Sequence, residues 1–272
     1  MNLPMKGAVA QEHLQSLFAM GGKRILVIGG AQGIGEATAC LLARLGCDIA
    51  IMDIQLERIE QVCAKLRGLG VSAFPIAVDV TDERQLIAAI AQIDKDFGPL
   101  DGMAAIVGAA GWSPIAEMTT DVWDHDQSRN LRYFFIAARE LARSLLERSA
   151  TGAMVAVSSV DGIRSAPGHA AYGAAKAGLI HLVKTMASEW SDQGIRVNCV
   201  APGPIVTKRV PLGDPQQERA GIVPIPMRRR GTADEVARAV AFFLSDMSTF
   251  VTGQTLAVDG GYTGAWGFGT KP

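Results

Sequence analysis

Seven short apolar runs, most of them separated by stretches with helical periodicity, constrain the fold of this chain. Each run is almost continuously apolar, which is typical of strands covered on both faces of a parallel sheet. The runs are RILVI (24–28), DIAIM (48–52), FPIAV (74–78), GMAAIV (102–107), AMVAVS (153–158), IRVNCV (195–200) and TLAVD (255–259). We therefore predict an α/β fold, a doubly wound, mostly parallel seven-stranded sheet with helices on both faces. In such a fold, ligands bind at the C-terminal ends of the strands.

The composition does not break at any point that would divide the chain into two domains. We expect an N-terminal extension over residues 1–16 and a single domain over residues 17–272. Within that domain, residues 207–226 are punctuated by prolines and mixed in polarity, which suits a mobile substrate lid. Residues 261–272 form a glycine-rich tail with three aromatic residues, which we expect to pack on the same or an adjacent subunit.

Charge and composition argue against several classes of partner. The formal net charge is -1, with a pI near 6.4, so neither nucleic acid nor an anionic membrane is expected to bind. No apolar run is long enough to span a bilayer. The four cysteines form no CxxC pair and read as reduced thiols, which predicts a cytoplasmic protein. The four histidines have no metal-ligand spacing, so no metal site is expected.

The segment VIGGAQGIGEA follows the first strand and opens the first helix. Its glycines, Gly29, Gly33 and Gly35, allow a tight turn and a close approach of the backbone to a pyrophosphate. The helix N-terminus adds oriented N–H donors. It is not a mononucleotide-binding P-loop, because Glu36 and Ala37 replace the lysine and the hydroxyl residue that such a loop carries.

The residue that ends the second strand favours one dinucleotide over another. Asp53 follows Gly29 by 24 residues, and a carboxylate there can accept hydrogen bonds from an adenosine ribose diol and would repel a 2′-phosphate. Neither Gln32 nor Ile54 carries the positive charge that a 2′-phosphate needs. The cofactor predicted is therefore NAD(H) rather than NADP(H).

A tyrosine and a lysine lie one helical turn apart in the stretch YGAAK. A free tyrosine has a pKa of about 10 and is a poor base at neutral pH. The ammonium of Lys176, on the same helix face, would favour the phenolate of Tyr172. Tyr172 would then act as a general base toward an alcohol and a general acid toward a ketone. By itself, the same spacing also fits an ordinary surface pair.

The motifs together resemble the short-chain dehydrogenase/reductase family, from about Phe18 to Tyr262, in family order and spacing. GGAQGIG is similar to the family's glycine turn, DVTD to its adenine-side motif, APGPIVT to its nicotinamide-side segment and VDGGY to its last strand. Asn130 lies seven residues after Trp123, and Ser159 lies thirteen before Tyr172, as in the family. The resemblance implies a Rossmann fold and a homotetramer.

The resemblance also implies roles for individual residues. Lys176 would hold the nicotinamide ribose, Ser159 the substrate oxygen, and Asn130 a water that links the lysine to solvent. The implied catalytic residues are Asn130, Ser159, Tyr172 and Lys176. The implied cofactor contacts are Gly29, Gln32, Gly33, Ile34, Gly35, Asp53, Ile54, Asp79, Val80, Ala109, Ala110, Gly111, Tyr172, Lys176, Pro202, Gly203, Ile205 and Thr207.

One turn departs from the family pattern. Where the family carries Asn-Asn-Ala-Gly after the fourth strand, this chain has Gly108, Ala109, Ala110 and Gly111. The hydrogen bonds of two amides are lost, each worth about 1 kcal/mol net. We expect weaker cofactor binding or an altered turn, and the departure keeps open a catalytically silent, NAD-sensing protein.

The sequence gives less information about the substrate. We expect its pocket to include Trp112, Ser159, Asp161, His169 and Pro204, without a cluster of basic residues. The prediction is an NAD-dependent oxidoreductase that acts on a small to medium, mainly hydrophobic secondary alcohol or ketone. An NADPH-dependent 3-oxoacyl reductase and a silent NAD-binding regulator are the alternatives.

Overall fold

The computed structural model describes residues 16–208 and 225–264. The predicted extension, much of the predicted lid (209–224) and the end of the tail (265–272) lie outside the described residues, apart from Ser16. Seven parallel strands form one sheet in the order β3-β2-β1-β4-β5-β6-β9. They are β1 (Arg24–Ile28), β2 (Asp48–Asp53), β3 (Ala73–Ala77), β4 (Gly102–Ala105), β5 (Gly152–Val157), β6 (Ile195–Pro202) and β9 (Thr255–Val258). Two short strands, β7 (Ile205–Val206) and β8 (Gly231–Thr232), pair with each other.

The helices cover both faces of this sheet. They are α1 (Gly33–Arg44), α2 (Leu56–Arg67), α3 (Glu83–Asp96), α4 (Thr120–Gln127), α5 (Tyr133–Glu147), α6 (Ala170–Trp190) and α7 (Ala233–Leu244). Alternate residues of a strand face opposite sides. Leu26 and Ile28 accordingly join the core beneath α3, α5 and α6, whereas Ile25 and Val27 join the core beneath α1, α2 and α7. The predicted doubly wound sheet is therefore confirmed.

Local sequence fixes where two of the helices begin. The Asp82 carboxylate accepts hydrogen bonds from the backbone N–H groups of Arg84 and Gln85 at the start of α3. Thr232 and Glu235 form a reciprocal capping box at the start of α7. Such caps satisfy donors that have no partner within the helix.

The sheet reverses its winding at β1, which places a crevice at the carboxyl ends of β1 and β4. β1 pairs with β2 on one side and with β4 on the other. The chain leaves β4 at Ala105, two residues earlier than the apolar run predicts, and the turn after β1 approaches the backbone of Val107 there. Parallel sheets bind ligands at such a crevice.

The apolar residues of α6 have partners within the single chain. Leu179, Val183 and Met186 are buried in the core, and Leu182 is half-buried against it. The core of the chain itself therefore covers most of the apolar surface of this helix. No helix in the described parts of the chain combines the length and the apolar character needed to cross a membrane.

Candidate active site

The glycine turn after β1 is a close-packed junction of backbone segments. Gly29 has φ +82, and a Cβ atom on it would lie 2.9 Å from the Val107 nitrogen. A Cβ atom on Gly35 would lie 1.9 Å from the Gly29 carbonyl oxygen, so only glycine fits there. Gly33 begins α1, and Thr207 lies over it, with Cγ2 at 3.5 Å from the position of a Gly33 Cβ. The turn and the segment ending at Thr207 are thus brought together.

A cleft of ≈ 280 Å³ opens above this turn. Its walls contain seven of the residues predicted to touch a cofactor, namely Gly29, Gln32, Gly33, Ile34, Asp53, Ala109 and Thr207. Gly35 contributes by its packing under Gly29 rather than as a wall of the cleft. The glycine backbone, the start of a helix and the carboxylate at the rim are chemically suited to a dinucleotide.

Asp53 ends β2 at the rim of this cleft. Its Oδ2 accepts a hydrogen bond from the Ala31 backbone nitrogen at 3.1 Å, and its Oδ1 accepts one from that of Ile54 at 2.8 Å. The carboxylate is therefore fixed in direction, and its remaining lone pairs can accept from a ribose diol. The side chain of Ile54 is exposed.

The adenine-side motif is less directly connected to the cleft. The Asp79 carboxylate accepts hydrogen bonds from the backbone nitrogen and the hydroxyl of Thr81 at 2.9 and 2.7 Å, and Val80 is buried in the core. On the other side, Gly203 packs against Asp259, and Pro202 and Ile205 are buried.

The turn over residues 108–111 keeps its hydrogen bonds although both family amides are absent. Asn130 Oδ1 accepts from the Ala109 nitrogen at 3.1 Å, and Asn130 Nδ2 donates to the Ala109 carbonyl at 2.9 Å. The Gly111 nitrogen donates to Asp126 Oδ2 at 3.1 Å. Asn130 lies in a π-helical turn, Ser128–Arg132, and is fully buried. The turn is therefore held from α4 and the π-turn, which the sequence reasoning missed.

Asp126 and Arg129 form a second pair that the sequence analysis did not identify. The Asp126 carboxylate is buried, and its Oδ1 accepts hydrogen bonds from Nη2 and Nε of Arg129 at 2.6 and 3.0 Å. Arg129 forms part of the cleft wall. The helical spacing of these two residues is a signal, but it also fits an ordinary surface ion pair.

Lys176 lies inside the protein beneath the Tyr172 ring. Its Nζ donates to the Val157 carbonyl at 2.9 Å and lies 5.6 Å from the centroid of that ring. Burial lowers the pKa of Lys176 to about 8. The ammonium form therefore dominates at pH 7 and gives way to the neutral amine as the pH rises through about 8. Tyr172 is half-buried at the start of α6.

The two serines after β5 have different surroundings. Ser158 is buried and donates to the Lys176 carbonyl at 2.8 Å, which ties β5 to α6. Ser159 is half-buried, and its Oγ accepts from the Asp161 nitrogen at 3.1 Å. A Cβ atom on Gly173 would lie 3.1 Å from the Asp161 carbonyl oxygen. The absence of bulk at Gly173 therefore lets the turn that carries Ser159 pack against the turn that carries Tyr172.

Three of the predicted substrate residues lie together beside Tyr172. His169 Nδ1 is 2.7 Å from Asp161 Oδ2, and the ring centroids of His169 and Tyr172 are 5.7 Å apart. The Trp112 indole lies 3.8 Å from the His169 ring, between centroids. Pro204 accepts a hydrogen bond from the Gly231 nitrogen and lies between β6 and β7. The substrate side thus contains a histidine–carboxylate pair as well as apolar surface.

A basic side chain reaches the cleft beside Gln32. A neighbouring pocket of ≈ 540 Å³ is lined by Gln32, Arg58, Lys65 and Lys208, among others. Arg58 Nη1 donates to Gln32 Oε1 at 2.7 Å. Neither Gln32 nor Ile54 is positively charged, as the sequence analysis noted. However, α2 places the guanidinium of Arg58 next to Gln32.

No group of three or more His, Cys, Asp or Glu residues in the described parts of the chain is arranged to hold a metal ion. The site instead consists of a glycine turn at the crevice of a parallel sheet, an acid at the rim, and a tyrosine above a buried lysine. These features define a doubly wound protein with a cleft at the strand ends that is chemically suited to a nucleotide. The family model described as enoyl-(acyl carrier protein) reductase matches residues 29–263. The chain belongs to the short-chain dehydrogenase/reductase family of oxidoreductases.

Relatives with several activities match nearly the whole chain. The glucose 1-dehydrogenase of Gluconobacter oxydans (strain 621H) is 36% identical over 245 residues, covering 89% of this chain and 92% of its own length. A 3-oxoacyl-[acyl-carrier-protein] reductase of Thermotoga maritima is 33% identical, with coverage of 88% and 97%. The structure of a 7α-hydroxysteroid dehydrogenase complexed with NADH and a 7-oxo bile acid superposes with a TM-score of 0.86, at 27% identity and coverage of 92% and 97%.

Proposed function

We propose that this protein transfers hydride between NAD(H) and a secondary alcohol or ketone of small to medium size. The observation that carries the proposal is the buried ammonium of Lys176, 5.6 Å from the Tyr172 ring centroid and next to the cleft above the glycine turn. A charge in the core is costly, and it is retained where chemistry needs it. The NADH bound in the related 7α-hydroxysteroid dehydrogenase supports a nicotinamide cofactor.

The proposed chemistry divides into hydride and proton transfer. A bound nicotinamide supplies or accepts the hydride. Tyr172 gives its proton to the oxygen of a ketone, or takes one from an alcohol, while the ammonium of Lys176 stabilises the phenolate. Ser159 donates a hydrogen bond to the same substrate oxygen as charge develops on it. Asn130 maintains the turn beside Lys176 and is proposed to hold a water that connects the lysine to solvent.

The preference for NAD(H) over NADP(H) rests on Asp53. Its carboxylate, held by two backbone N–H groups, would repel a 2′-phosphate at the place where it accepts from the ribose diol. Arg58, bonded to Gln32, favours the alternative, an NADPH-dependent 3-oxoacyl reductase like the Thermotoga relative. We base the cofactor preference on the Asp53 carboxylate, because it lies at the end of β2 itself, whereas Arg58 reaches the rim of the cleft from α2.

Assembly and location are also proposals. Exposed apolar residues outside the active site, among them Phe135 on α5 and Leu256 on β9, support a homotetramer. All four cysteines are free thiols, which supports a reducing, cytoplasmic environment.

A direct assay tests the proposed function. The purified protein is incubated with a panel of secondary alcohols and NAD⁺ or NADP⁺, and with ketones and the reduced cofactors, while the nicotinamide absorbance is followed. Turnover that is faster with NAD(H) supports the proposal. Faster turnover of 3-oxoacyl thioesters with NADPH would favour the reductase alternative. Tight binding of NAD(H) without turnover of any substrate would favour the silent regulator.

A further inference from the structure

A histidine beside Tyr172 has one ring nitrogen that no group in the described parts of the chain satisfies. His169 precedes the first residue of α6, and its ring lies edge-on to the Tyr172 ring, 5.7 Å away between centroids. Its Nε2 is buried and has no hydrogen-bond partner among residues 16–208 and 225–264. Buried polar atoms normally have a partner, so an unsatisfied one next to a reacting tyrosine indicates a place for a ligand atom.

The Asp161 carboxylate determines which kind of ligand atom fits. A carboxylate only accepts hydrogen bonds, so His169 Nδ1, at 2.7 Å from Asp161 Oδ2, must carry a proton. When the ring carries that single proton, Nε2 presents a lone pair. Asp161 itself is held in the turn that packs against Gly173, so the direction of the pair is fixed by α6. In this neutral tautomer, the role left for Nε2 is that of an acceptor, which a donor such as a hydroxyl group would satisfy.

The Trp112 indole packs against the His169 ring. Its ring centroid is 3.8 Å from that of His169, while its own side chain is 76% exposed. The Ser113 nitrogen donates to the Gly168 carbonyl at 3.0 Å and fixes the loop close to the histidine. Because the indole is held on one side only, a substrate can move it aside with little loss of buried surface, and the indole then lies against the substrate's apolar part.

We infer that His169 is a specificity-determining residue, held by Asp161, and that the substrate is a ketone with a hydroxyl group next to the reacting carbonyl, or the corresponding diol. The inference rests on the proposed function and defines its substrate class more narrowly. The hydroxyl donates to His169 Nε2 while the carbonyl faces Tyr172, and the rest of the substrate contacts the indole. Neither the spacing of the family motifs nor the cofactor cleft requires this pair.

Three matched probes test the inference, namely cyclohexanone, 2-hydroxycyclohexanone and 2-methoxycyclohexanone. The hydroxy and methoxy ketones have similar electronic character, but only the first has a donor. We expect the wild-type kcat/KM for the hydroxy ketone to exceed that for the methoxy ketone by about ten-fold or more. His169→Phe keeps a ring beneath Trp112 and removes the nitrogen. The hydroxy-to-methoxy ratio of the two kcat/KM values should therefore fall close to one in this variant. His181→Phe, at an exposed position within α6, is the control and should keep the wild-type ratio.

A second variant keeps the test decisive if His169→Phe does not fold. In Asp161→Asn, the amide can donate to Nδ1, which moves the ring proton to Nε2 and converts it from an acceptor to a donor. The hydroxy-to-methoxy ratio should fall in this variant too, with the methoxy ketone gaining relative to cyclohexanone. NADH binding by titration checks that each variant retains the cofactor site.

Several outcomes would overturn the inference. A wild-type ratio near one, or a ratio that stays high in both variants, would remove His169 as a recognition residue while leaving the proposed function intact. A wild-type preference for 2-oxocyclohexanecarboxylate that is lost in His169→Phe would assign the histidine to an anion instead. Failure to reduce any ketone with either cofactor would overturn the proposed function, and the inference with it.

Discussion

Gly108 lies directly against the ammonium group of Lys176. A Cβ atom on Gly108 would be 2.9 Å from Lys176 Nζ and 3.1 Å from Asn130 Oδ1. The lysine and the π-turn therefore occupy space that a side chain at position 108 would need. The glycine that departs from the family pattern is part of how this chain positions its lysine.

Gly108→Asn, which restores the family residue, should consequently impair rather than improve the enzyme. The new side chain must displace Lys176 Nζ, because the lysine end is the most movable neighbour. We expect kcat to fall by about ten-fold or more, while the Kd for NADH changes less. The control is Gly70→Asn, at an exposed left-handed position with nothing near its Cβ. An unchanged kcat would contradict the idea that Gly108 makes room for the lysine.

Tyr172→Phe should nearly abolish turnover and leave the dinucleotide bound. The ring and its packing against His169 remain, and only the hydroxyl is removed. Loss of a general acid–base group costs about 10²–10⁴-fold in rate. Steady-state kinetics and fluorescence titration with NADH would be measured on the same preparation. A variant that retains wild-type kcat would exclude Tyr172 as the proton donor.

The cofactor preference should depend on both Asp53 and Arg58. Asp53→Asn keeps the shape of the side chain and removes the charge, so the preference for NAD⁺ over NADP⁺ should narrow. Arg58→Ala in that background should weaken NADP⁺ alone, because the guanidinium lies beside Gln32, near the expected position of the 2′-phosphate. Calorimetric titration with both dinucleotides measures the effect, and Arg84→Ala, exposed on α3, is the control. Tighter binding of NADP⁺ to the unmodified protein would contradict the assignment of NAD.

The burial of Lys176 should make the stability of the cofactor-free protein increase with pH. The folded-state pKa is about 8, below the unfolded value of 10.5, because burial disfavours the charged form. Between these values the unfolded chain binds more protons, so stability rises across that window by about 3 kcal/mol and is at its lower level below pH 8. Lys176→Met removes the titrating amine, so the stability of this variant should not show the rise that Lys176 causes. Urea unfolding at several pH values should show wild type gaining stability relative to the variant from pH 8 to 10.5, and parallel curves would contradict the prediction.

Sequence predicted the sheet and the glycine turn because their causes are local. Continuous apolar runs identify buried parallel strands, and no other residue fits at Gly35, directly beneath the Gly29 carbonyl. The helical spacing of Tyr172 and Lys176 likewise places them on one face of α6. The close approach of Lys176 to Gly108, by contrast, joins segments that are distant in the chain, and no pattern in either segment indicates it.

The missed residues owe their positions to tertiary packing. Arg58 resembles any surface arginine of an amphipathic helix, and only the packing of α2 against the turn brings it to Gln32. Asp126 lies in the polar stretch WDHDQ, which predicts an exposed helix. It is buried because it accepts from both Gly111 and Arg129.

The sheet ends at β9, which pairs with β6 and with no other strand among the described residues. Its outer edge carries the half-exposed Leu256, and the preceding loop carries the fully exposed Phe250. An uncovered strand edge with apolar side chains is a template for uncontrolled pairing between chains. If a second copy covers this edge, the assembly also protects the protein from precipitation. A charged residue at Leu256 would then separate the copies and also keep the exposed strand edge soluble. An apolar substitution that only weakens the contact would leave the edge uncovered and yield aggregates rather than monomers.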